Sequence, residues 1–388
     1  MNYTAYSVRA DRLTGPEDAI PKVRHGLVLV VRKSELDTPF IAADIDIVKG
    51  NIARMQELAD RHAKKLRPHS KTHKLPSVAL WQVEAGAAGI CVQKTSEAEV
   101  MVKGGVRDVF VSNEVIGRQK TDRLAALATK AKVSVAVDSE LGVKQVSQSA
   151  NLVGVEIGVY LDVDVGLHRC GVNAREAASL AELVSKSPNV YLVGVMGYDG
   201  HSWRPLDDGE RRKIVDESRR ILLSAVREVT AKGVGVDVIS VGGTPSTPMW
   251  AEFDEITELE PGAYVYNDVM QLERGAPKSN CAVTLTGTVM SKQSSDQAVV
   301  DAGSKSFALD FGRYPIPVRD INGEVVGLAE EHAVLRSKSG PIKAELADRL
   351  DFIPYHICPF IDLWDTIQFC HRDEVVSTLR IEARGART

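Results

Sequence analysis

Short apolar runs alternate with longer amphipathic stretches along the chain as far as residue 280. The amphipathic stretches, such as residues 47–63 and 175–187, place apolar residues three and four apart, which predicts helices. The apolar runs predict strands at residues 40–46, 65–70, 89–95, 108–114, 132–139, 155–164, 190–199, 236–244 and 255–264. Alternation of this kind is typical of βαβ units and a parallel sheet.

Nine candidate strands come close to the eight of a (β/α)8 barrel, with one strand left to place. An open doubly wound sheet would alternate in the same way, but no GxGxxG motif opens the first unit. We therefore expect an α/β protein whose TIM-type barrel covers residues 37–278.

The pattern changes after residue 280, where short strands follow one another with turn residues between them. Candidate strands at residues 281–292, 297–303, 307–312, 331–337, 349–356 and 377–385 predict a mostly antiparallel β domain over residues 279–388. Residues 1–36 form an N-terminal segment, and its apolar run at 25–34 is a further candidate strand of the β domain.

Charge and composition exclude several classes of protein. The formal net charge is -4, which argues against a nucleic-acid binder. Five scattered cysteines fit a reducing compartment better than a disulfide framework. Neither a signal peptide nor an apolar run long enough to span a membrane is present, so we expect a cytoplasmic protein without a membrane partner.

Active sites of such barrels lie in the loops at the C-terminal ends of the strands. Polar residues concentrate at four of these ends, at residues 67–74, 162–169, 198–201 and 242–247. Gly242 and Gly243 follow an apolar strand, so their backbone could approach a phosphate, although a plain glycine turn is the alternative.

Lys71 stands among the basic residues His69, His73 and Lys74. Positive neighbours favour the neutral amine, which is the form that makes an imine with an aldehyde. A solvated basic loop is the alternative. Together with a phosphate site elsewhere in the barrel, the lysine points to a pyridoxal-phosphate Schiff base.

His356 and Cys358 form a possible metal pair in the β domain. If they lie on a strand, their side chains share one face and can bind one cation. Imidazole and thiolate together suit Zn²⁺ best, with water or substrate completing the coordination. The alternative is a core cysteine beside a surface histidine.

These motifs resemble the D-threonine aldolase and D-serine dehydratase family, over roughly residues 37–385. The resemblance rests on RPHSKTHK (67–74), GICVQKTSEAE (89–99), DVDVGLHRCG (162–171), VGGTPST (241–247) and HICP (356–359). It implies a fold-type III pyridoxal-phosphate enzyme with an alanine-racemase-like barrel, working as a homodimer on small D-amino acids.

The resemblance also implies roles for individual residues. It makes Lys71 the Schiff-base lysine, and His356 and Cys358 the metal ligands. The other implied cofactor contacts are Arg169 beside the ring, Tyr198 near the pyridine, and Gly242, Gly243, Thr244 and Tyr266 at the phosphate. It places His201 close to the substrate, as a candidate base alongside Lys71. For Tyr198 and Tyr266, packing in the core is the alternative.

Two reactions of D-β-hydroxy-α-amino acids fit this set of groups. The H-x-C pair and the YDGHSW loop (198–203) resemble the dehydratases more than the aldolases, so we place β-elimination to a 2-oxo acid and ammonia first. Retro-aldol cleavage to glycine and an aldehyde is the alternative. The thiolate favours Zn²⁺ over Mn²⁺ or Mg²⁺. A racemase, a non-catalytic pyridoxal-phosphate carrier and a metal-dependent hydrolase are further alternatives.

Overall fold

The structure, a computed structural model, describes residues 31–388. Its first nine strands are β1 (Phe40–Asp44), β2 (Lys65–Leu66), β3 (Ile90–Val92), β4 (Asp108–Glu114), β5 (Lys132–Val137), β6 (Ile157–Asp162), β7 (Val190–Gly197), β8 (Val238–Val241) and β9 (Glu258–Leu259). Strands β2 to β9 form one parallel sheet in the order β2-β9-β8-β7-β6-β5-β4-β3.

The two ends of this sheet meet just beyond β2. The N–H of Cys91 donates to the carbonyl of Pro68 at 2.8 Å, and His69 and Cys91 form a parallel bridge. The predicted eight-stranded barrel is therefore confirmed.

Helices follow the barrel strands, and most of them bury apolar faces against the barrel. They are α1 (Ile45–Arg61), α2 (Pro76–Glu84), α3 (Thr95–Lys103), α4 (Arg118–Ala128), α5 (Glu140–Val153), α6 (Ala174–Lys186), α7 (Asp208–Ala231), and the short α8 (Thr247–Ala251) and α9 (Val269–Leu272). Side chains fix several starts, as at α6, where Asn173 and Glu176 form a capping box. None of the helices within residues 31–388 combines the length and apolarity needed to cross a bilayer.

The strand left over in the sequence prediction is β1, and it does not belong to the barrel. It pairs antiparallel with β10 (Val283–Ser294) and parallel with β16 (Thr366–His371) in the second sheet. Its assignment to the barrel was therefore wrong. A buried run of four apolar residues, 40–43, looks the same in either sheet, so only the long-range pairing decides its place.

The second sheet is mostly antiparallel, as predicted. Besides β1, β10 and β16 it contains β11 (Gln297–Val300), β12 (Ile316–Pro317), β13 (Gly323–Leu328), β14 (Ala333–Ser337), β15 (Arg349–Ile353) and β17 (Glu374–Arg380). The candidate strand at 307–312 is wrong, because these residues form turns. Strands β12, β13 and β16 were missed, as was the short helix α10 (Ile357–Ile361).

The candidate strand at residues 25–34 lies mostly outside the described residues. Its last residues contact the second sheet, since the carbonyl of Val31 accepts from Val375 at 2.9 Å and Arg32 forms a bridge with Glu374. The domain limits at residues 36 and 278 stay predictions.

Candidate functional site

A cavity of about 390 Å³ opens where the C-terminal ends of the barrel strands face the second sheet. Most of the predicted site residues line it: Lys71, Arg169, Tyr198, Gly242, Gly243, Thr244, His356 and Cys358. Residues far apart in sequence thus share one site. His201 and Tyr266 are not among the lining residues.

Lys71 lies in a tight turn, Ser70–Thr72, directly after β2. The Nδ1 atom of His69 accepts the backbone N–H of Lys71 at 3.2 Å and so fixes the start of this turn. The Nζ of Lys71 lies 5.5 Å from the centroid of the Tyr198 ring, and the Cζ of Arg169 lies 5.2 Å from it. The tyrosine ring and both cations therefore form one cluster at the cavity wall.

The two histidines beside Lys71 are buried and neutral. Burial, followed by the charge of Lys71, lowers the pKa of His69 well below its ordinary value. Burial lowers the pKa of His73 to about 3. The expectation that these histidines contribute positive charge around Lys71 is therefore wrong. The sequence shows that they are neighbours, but not that they are desolvated.

The glycine segment after β8 forms a lobe of the cavity suited to an anion. Gly242 has a φ of 113°, which a residue with a side chain rarely adopts. The Thr244 hydroxyl accepts the N–H of Tyr264 at 3.1 Å, which ties this loop to the one after β9. Gly262 and Ala263 of that second loop also line the cavity.

Sequence reasoning missed these last two residues, although a glycine soon after a strand was a usable signal. A Cβ at Gly262 would lie 3.0 Å from the Thr72 hydroxyl, so the loop after β9 packs tightly against the lysine turn.

A buried polar network lies beneath the cavity, inside the barrel. Arg67 pairs with Glu258 at 2.9 Å, and the Ser240 hydroxyl donates to both Glu258 and Glu260. Burial, and then the charge of Glu258, raises the pKa of Glu260 to about 7. Glu260 also lines the cavity. Nothing in the sequence distinguishes this glutamate from an exposed one.

A second group of acids lies at the ends of β4 and β6. Burial, and then a hydrogen bond to Glu114, raises the pKa of Asp162 to about 9. Both residues line the cavity together with Arg169. The raised pKa favours the protonated form of the Asp162 carboxyl at neutral pH.

The predicted metal pair lies in the part of the cavity wall that belongs to the second domain, but not on a strand. Strand β15 ends at Ile353, His356 immediately precedes α10, and Cys358 lies in its first turn. Asp268 holds the start of this helix by accepting the N–H of Ile357 at 2.8 Å. The strand assumed for the pair is wrong, yet the helix start also brings the two side chains together.

Contact between the two side chains raises the pKa of His356 and lowers that of Cys358. Burial by itself would lower the pKa of His356, but contact with Cys358 and Asp310 raises it to about 9. Burial by itself would raise the pKa of Cys358, but His356 and Lys71 lower it. Asp310 lies 2.5 Å from the Nδ1 of His356, and the Thr72 hydroxyl lies 3.2 Å from the Cys358 sulfur.

The remaining two predicted residues lie away from the cavity surface. The Nε2 of His201 would be 3.2 Å from a Cβ built on Gly166, so its ring faces the loop after β6. Burial lowers the pKa of His201, and its Nδ1 has no hydrogen-bond partner among the described residues. The Tyr266 ring packs edge-on against His73, and its buried hydroxyl is likewise unpaired within residues 31–388.

Family models match both halves of the chain. The model described as alanine racemase, N-terminal domain, matches residues 43–269, and the putative serine dehydratase domain matches residues 282–370. A D-threonine aldolase from Arthrobacter sp. is 35% identical over 357 residues, which cover 91% of this chain and 94% of that protein. The chain belongs to the D-threonine aldolase and D-serine dehydratase family.

Other relatives in this family differ in their named reactions. A 3-hydroxy-D-aspartate aldolase from Paracoccus denitrificans is 32% identical, with 91% of this chain and 93% of that protein covered. A D-threo-3-hydroxyaspartate dehydratase from Delftia sp. is 29% identical, with 83% and 91% covered. The family resemblance is therefore confirmed, and the protein is an enzyme of the lyase type.

Solved structures of family members share the whole fold. The crystal structure of D-threonine aldolase from Filomicrobium marinum has a TM-score of 0.88 and 29% identity, covering 92% of this chain and 99% of that one. The Delftia dehydratase has a TM-score of 0.82 and 26% identity, covering 89% and 97%. A cysteine-to-alanine mutant of a D-threo-3-hydroxyaspartate dehydratase was solved in a metal-free form.

Proposed function

We propose that this protein is a pyridoxal-phosphate- and divalent-metal-dependent lyase that cleaves D-β-hydroxy-α-amino acids. The observation that supports this most directly is the meeting of Lys71 with His356 and Cys358 in one cavity. An amine for the cofactor and a pair of metal ligands then face the same substrate. A racemase of simple amino acids has no use for the metal pair.

The cavity fits pyridoxal phosphate at both ends. The positive φ of Gly242 brings backbone close to the cavity, and the N–H of Thr244 makes no hydrogen bond within the described residues, so both suit a phosphate. Lys71 and Arg169 lie at the Tyr198 ring, where they would hold the aldehyde end and the ring of the cofactor. When bound, pyridoxal phosphate supplies an electron sink for charge that develops at the substrate Cα.

The pair His356 and Cys358 fits a soft divalent cation. Imidazole and thiolate favour Zn²⁺, and Asp310 at the Nδ1 of His356 is the kind of carboxylate that orients a metal-binding histidine through its second ring nitrogen. The metal, when bound, would act as a Lewis acid on the substrate hydroxyl.

Two side chains of the cavity can hold or transfer a proton during the proposed reaction. We assign the proton transfer at the substrate Cα to the Nζ of Lys71, which lines the cavity beside the Tyr198 ring. Glu260, with a pKa of about 7 due first to its burial, holds a proton at the cavity floor. A role for His201 as a base stays a prediction, because its ring faces Gly166 and not the cavity.

We place retro-aldol cleavage to glycine and an aldehyde first, ahead of β-elimination. The Arthrobacter and Paracoccus relatives, each more than 30% identical to this chain, are named aldolases, and the aldolase structure has a higher TM-score than the dehydratase structure. This reverses the order that the H-x-C pair favoured in the sequence. Elimination remains the second candidate, because the pair lies in the cavity and a relative named a dehydratase shares the whole fold.

A homodimer and a cytoplasmic location stay predictions that accompany this function.

The test is product identification with purified enzyme, pyridoxal phosphate and Zn²⁺. D-Threonine should give glycine and acetaldehyde, whereas 2-oxobutyrate and ammonia would favour elimination. A chelator should abolish turnover, and Zn²⁺ should restore it. The variant Cys358→Ala should keep the cofactor colour but lose turnover. A carrier would show no turnover in either form, and turnover that survives both chelation and Cys358→Ala would contradict the proposed metal role.

A further inference from the structure

Three neighbouring strands of the barrel end in acidic residues. Glu114 is the last residue of β4, Asp138 directly follows β5, and Asp162 is the last residue of β6. The three strands lie side by side in the parallel sheet, so their carboxyl groups meet at its C-terminal edge. We call these three acids, together with Cys170, the strand-end cluster.

The loop after β6 brings Cys170 back to the strand ends. Gly171, with a φ of 96°, turns the chain there and donates its N–H to Asp138 at 3.3 Å. The Cys170 sulfur and one carboxylate oxygen each of Glu114 and Asp138 all lie within 4.8 Å of one another. Atoms this close together can ligate one cation.

The acids of the cluster are buried without hydrogen-bond donors. Asp162 is only 9% exposed, and no N–H or O–H of the described residues donates to its carboxyl group. The Oε1 of Glu114 is buried and has no hydrogen-bond partner within residues 31–388. No ion pair joins the cluster to a lysine or arginine in that part of the chain. Buried carboxyl groups that face each other in this way need a proton or a cation between them.

A divalent cation fits this set of groups. Glu114, Asp138 and Cys170 supply three ligands, and Asp162 beside Glu114 can supply the fourth of a closed tetrahedral site. Carboxylates accept several divalent cations, whereas a thiolate favours Zn²⁺. Burial, and then Glu114, raises the pKa of Cys170, so the thiol would release its proton to solvent when the cation binds.

We propose that the strand-end cluster binds a structural divalent cation, Zn²⁺ above all, in addition to the metal proposed at His356 and Cys358. Cys170 directly follows Arg169, whose Cζ lies 5.2 Å from the centroid of the Tyr198 ring. The cation therefore anchors the loop that carries this arginine to the cavity. The site does not depend on the proposed function, because it shares no ligand with the metal pair and does not involve Lys71.

The experiment counts the cations that the purified protein retains. The protein is stripped with a chelator, reloaded with Zn²⁺, desalted and submitted to elemental analysis. The unmodified protein should hold two Zn²⁺ per chain. The double variant His356→Ala/Cys358→Ala should hold one, and it should hold none once Asp138→Asn and Cys170→Ser are added.

A matched control and a spectroscopic readout identify the ligands. Glu140→Gln in the double variant should leave its single Zn²⁺ in place, because this exposed acid follows Asp138 by two residues but pairs with Lys144. Co²⁺ in place of Zn²⁺ should give a thiolate-to-metal absorption band in the double variant, although Cys358 is absent. Adding Cys170→Ser should abolish that band.

Cofactor affinity tests the anchoring of the loop. In the double variant, removal of Zn²⁺ should weaken the binding of pyridoxal phosphate about tenfold, because the loop with Arg169 loses its attachment. Absorbance titration measures this. An unchanged affinity would contradict the anchoring of Arg169.

Two results would overturn the site itself. One is a single Zn²⁺ per chain in the unmodified protein and none in the double variant, which would mean that a proton alone satisfies the buried acids. The other is a cation that stays bound after Asp138→Asn and Cys170→Ser. If the double variant does not fold, the comparison of the unmodified protein with Cys170→Ser still decides, with two Zn²⁺ expected against one.

Discussion

The cavity has two halves, and different parts of the fold position their side chains. In the barrel half, Lys71, Arg169, Tyr198 and the Gly242 loop stand at the ends of parallel strands, where the barrel architecture itself brings them together. In the metal half, His356 and Cys358 depend on one helix start and on Asp268. The barrel half follows from the order of the strands, whereas the metal half depends on a local turn that the sequence pattern did not predict.

The two halves meet at a single turn. Lys71 and Thr72 are consecutive, and the Thr72 hydroxyl lies 3.2 Å from the sulfur of Cys358. The amine that we propose for the cofactor and the thiol that we propose for the metal are thus held close together by one turn. If the two halves bind the proposed cofactor and the proposed metal independently, a substitution in one half should leave the ligand of the other half bound.

The largest effect is expected from the barrel half. Lys71→Ala should abolish the permanent attachment of the cofactor that borohydride reduction of the imine would otherwise produce, and it should lower kcat by at least about 10³-fold. Zn²⁺ content, measured by elemental analysis, should stay near that of the unmodified protein, because His356 and Cys358 are untouched. Loss of metal in the properly folded variant would show that the halves are not separate.

A smaller effect is expected from a substitution of Asp310, which lies behind the proposed metal pair. Asp310→Asn removes the carboxylate beside the Nδ1 of His356 and should weaken Zn²⁺ binding by about 10–100-fold. Competition with a coloured chelator measures this, and the absorbance of the cofactor should not change. Asp320→Asn is a suitable control, because that aspartate is exposed and pairs only with nearby residues of its own domain. Equal weakening in both variants would exclude a specific role for Asp310.

The smallest effect concerns stability and the protonated Asp162. Burial, and then Glu114, raises its pKa to about 9 in the folded chain. The unfolded chain loses this proton near pH ~4, so between these values the folded state binds more protons and stability falls as the pH rises. Asp162→Asn should flatten this fall, seen as a smaller drop in the urea midpoint between neutral and alkaline pH. An unchanged pH dependence would mean that Asp162 is ionised in the folded state.

Prediction from sequence succeeded where a periodic pattern sets the structure. Helices α1 and α6 and the barrel strands follow from the spacing of apolar residues, and Lys71 follows from its place after β2. Prediction failed where long-range contacts decide. The sequence placed β1 in the barrel, left His69 and His73 charged, and put His356 on a strand.

Three features of the cavity had no local signal at all. Glu260 is distinguished only by its burial next to Glu258, and the Gly262 loop only by its contact with Thr72. Phe311 belonged to a segment interpreted as a strand, and its place beside His356 depends on the fold of the second domain. Desolvation and contacts across domains are properties of the folded chain, so a sequence window does not contain them.

The position of β1 has a consequence for how the two domains move. The chain leaves the second sheet at Asp44, completes the whole barrel, and returns at Ala282, whose carbonyl accepts the N–H of Asp44 at 2.8 Å. The barrel is thus an insertion joined to its host by two adjacent tethers and not by a single flexible linker. Two connections side by side restrict rotation of the barrel against the second sheet, so we expect Lys71 and the proposed metal ligands to keep their alignment. Because the two ends of the barrel segment lie next to each other, we also expect that a related barrel can replace it in the second domain.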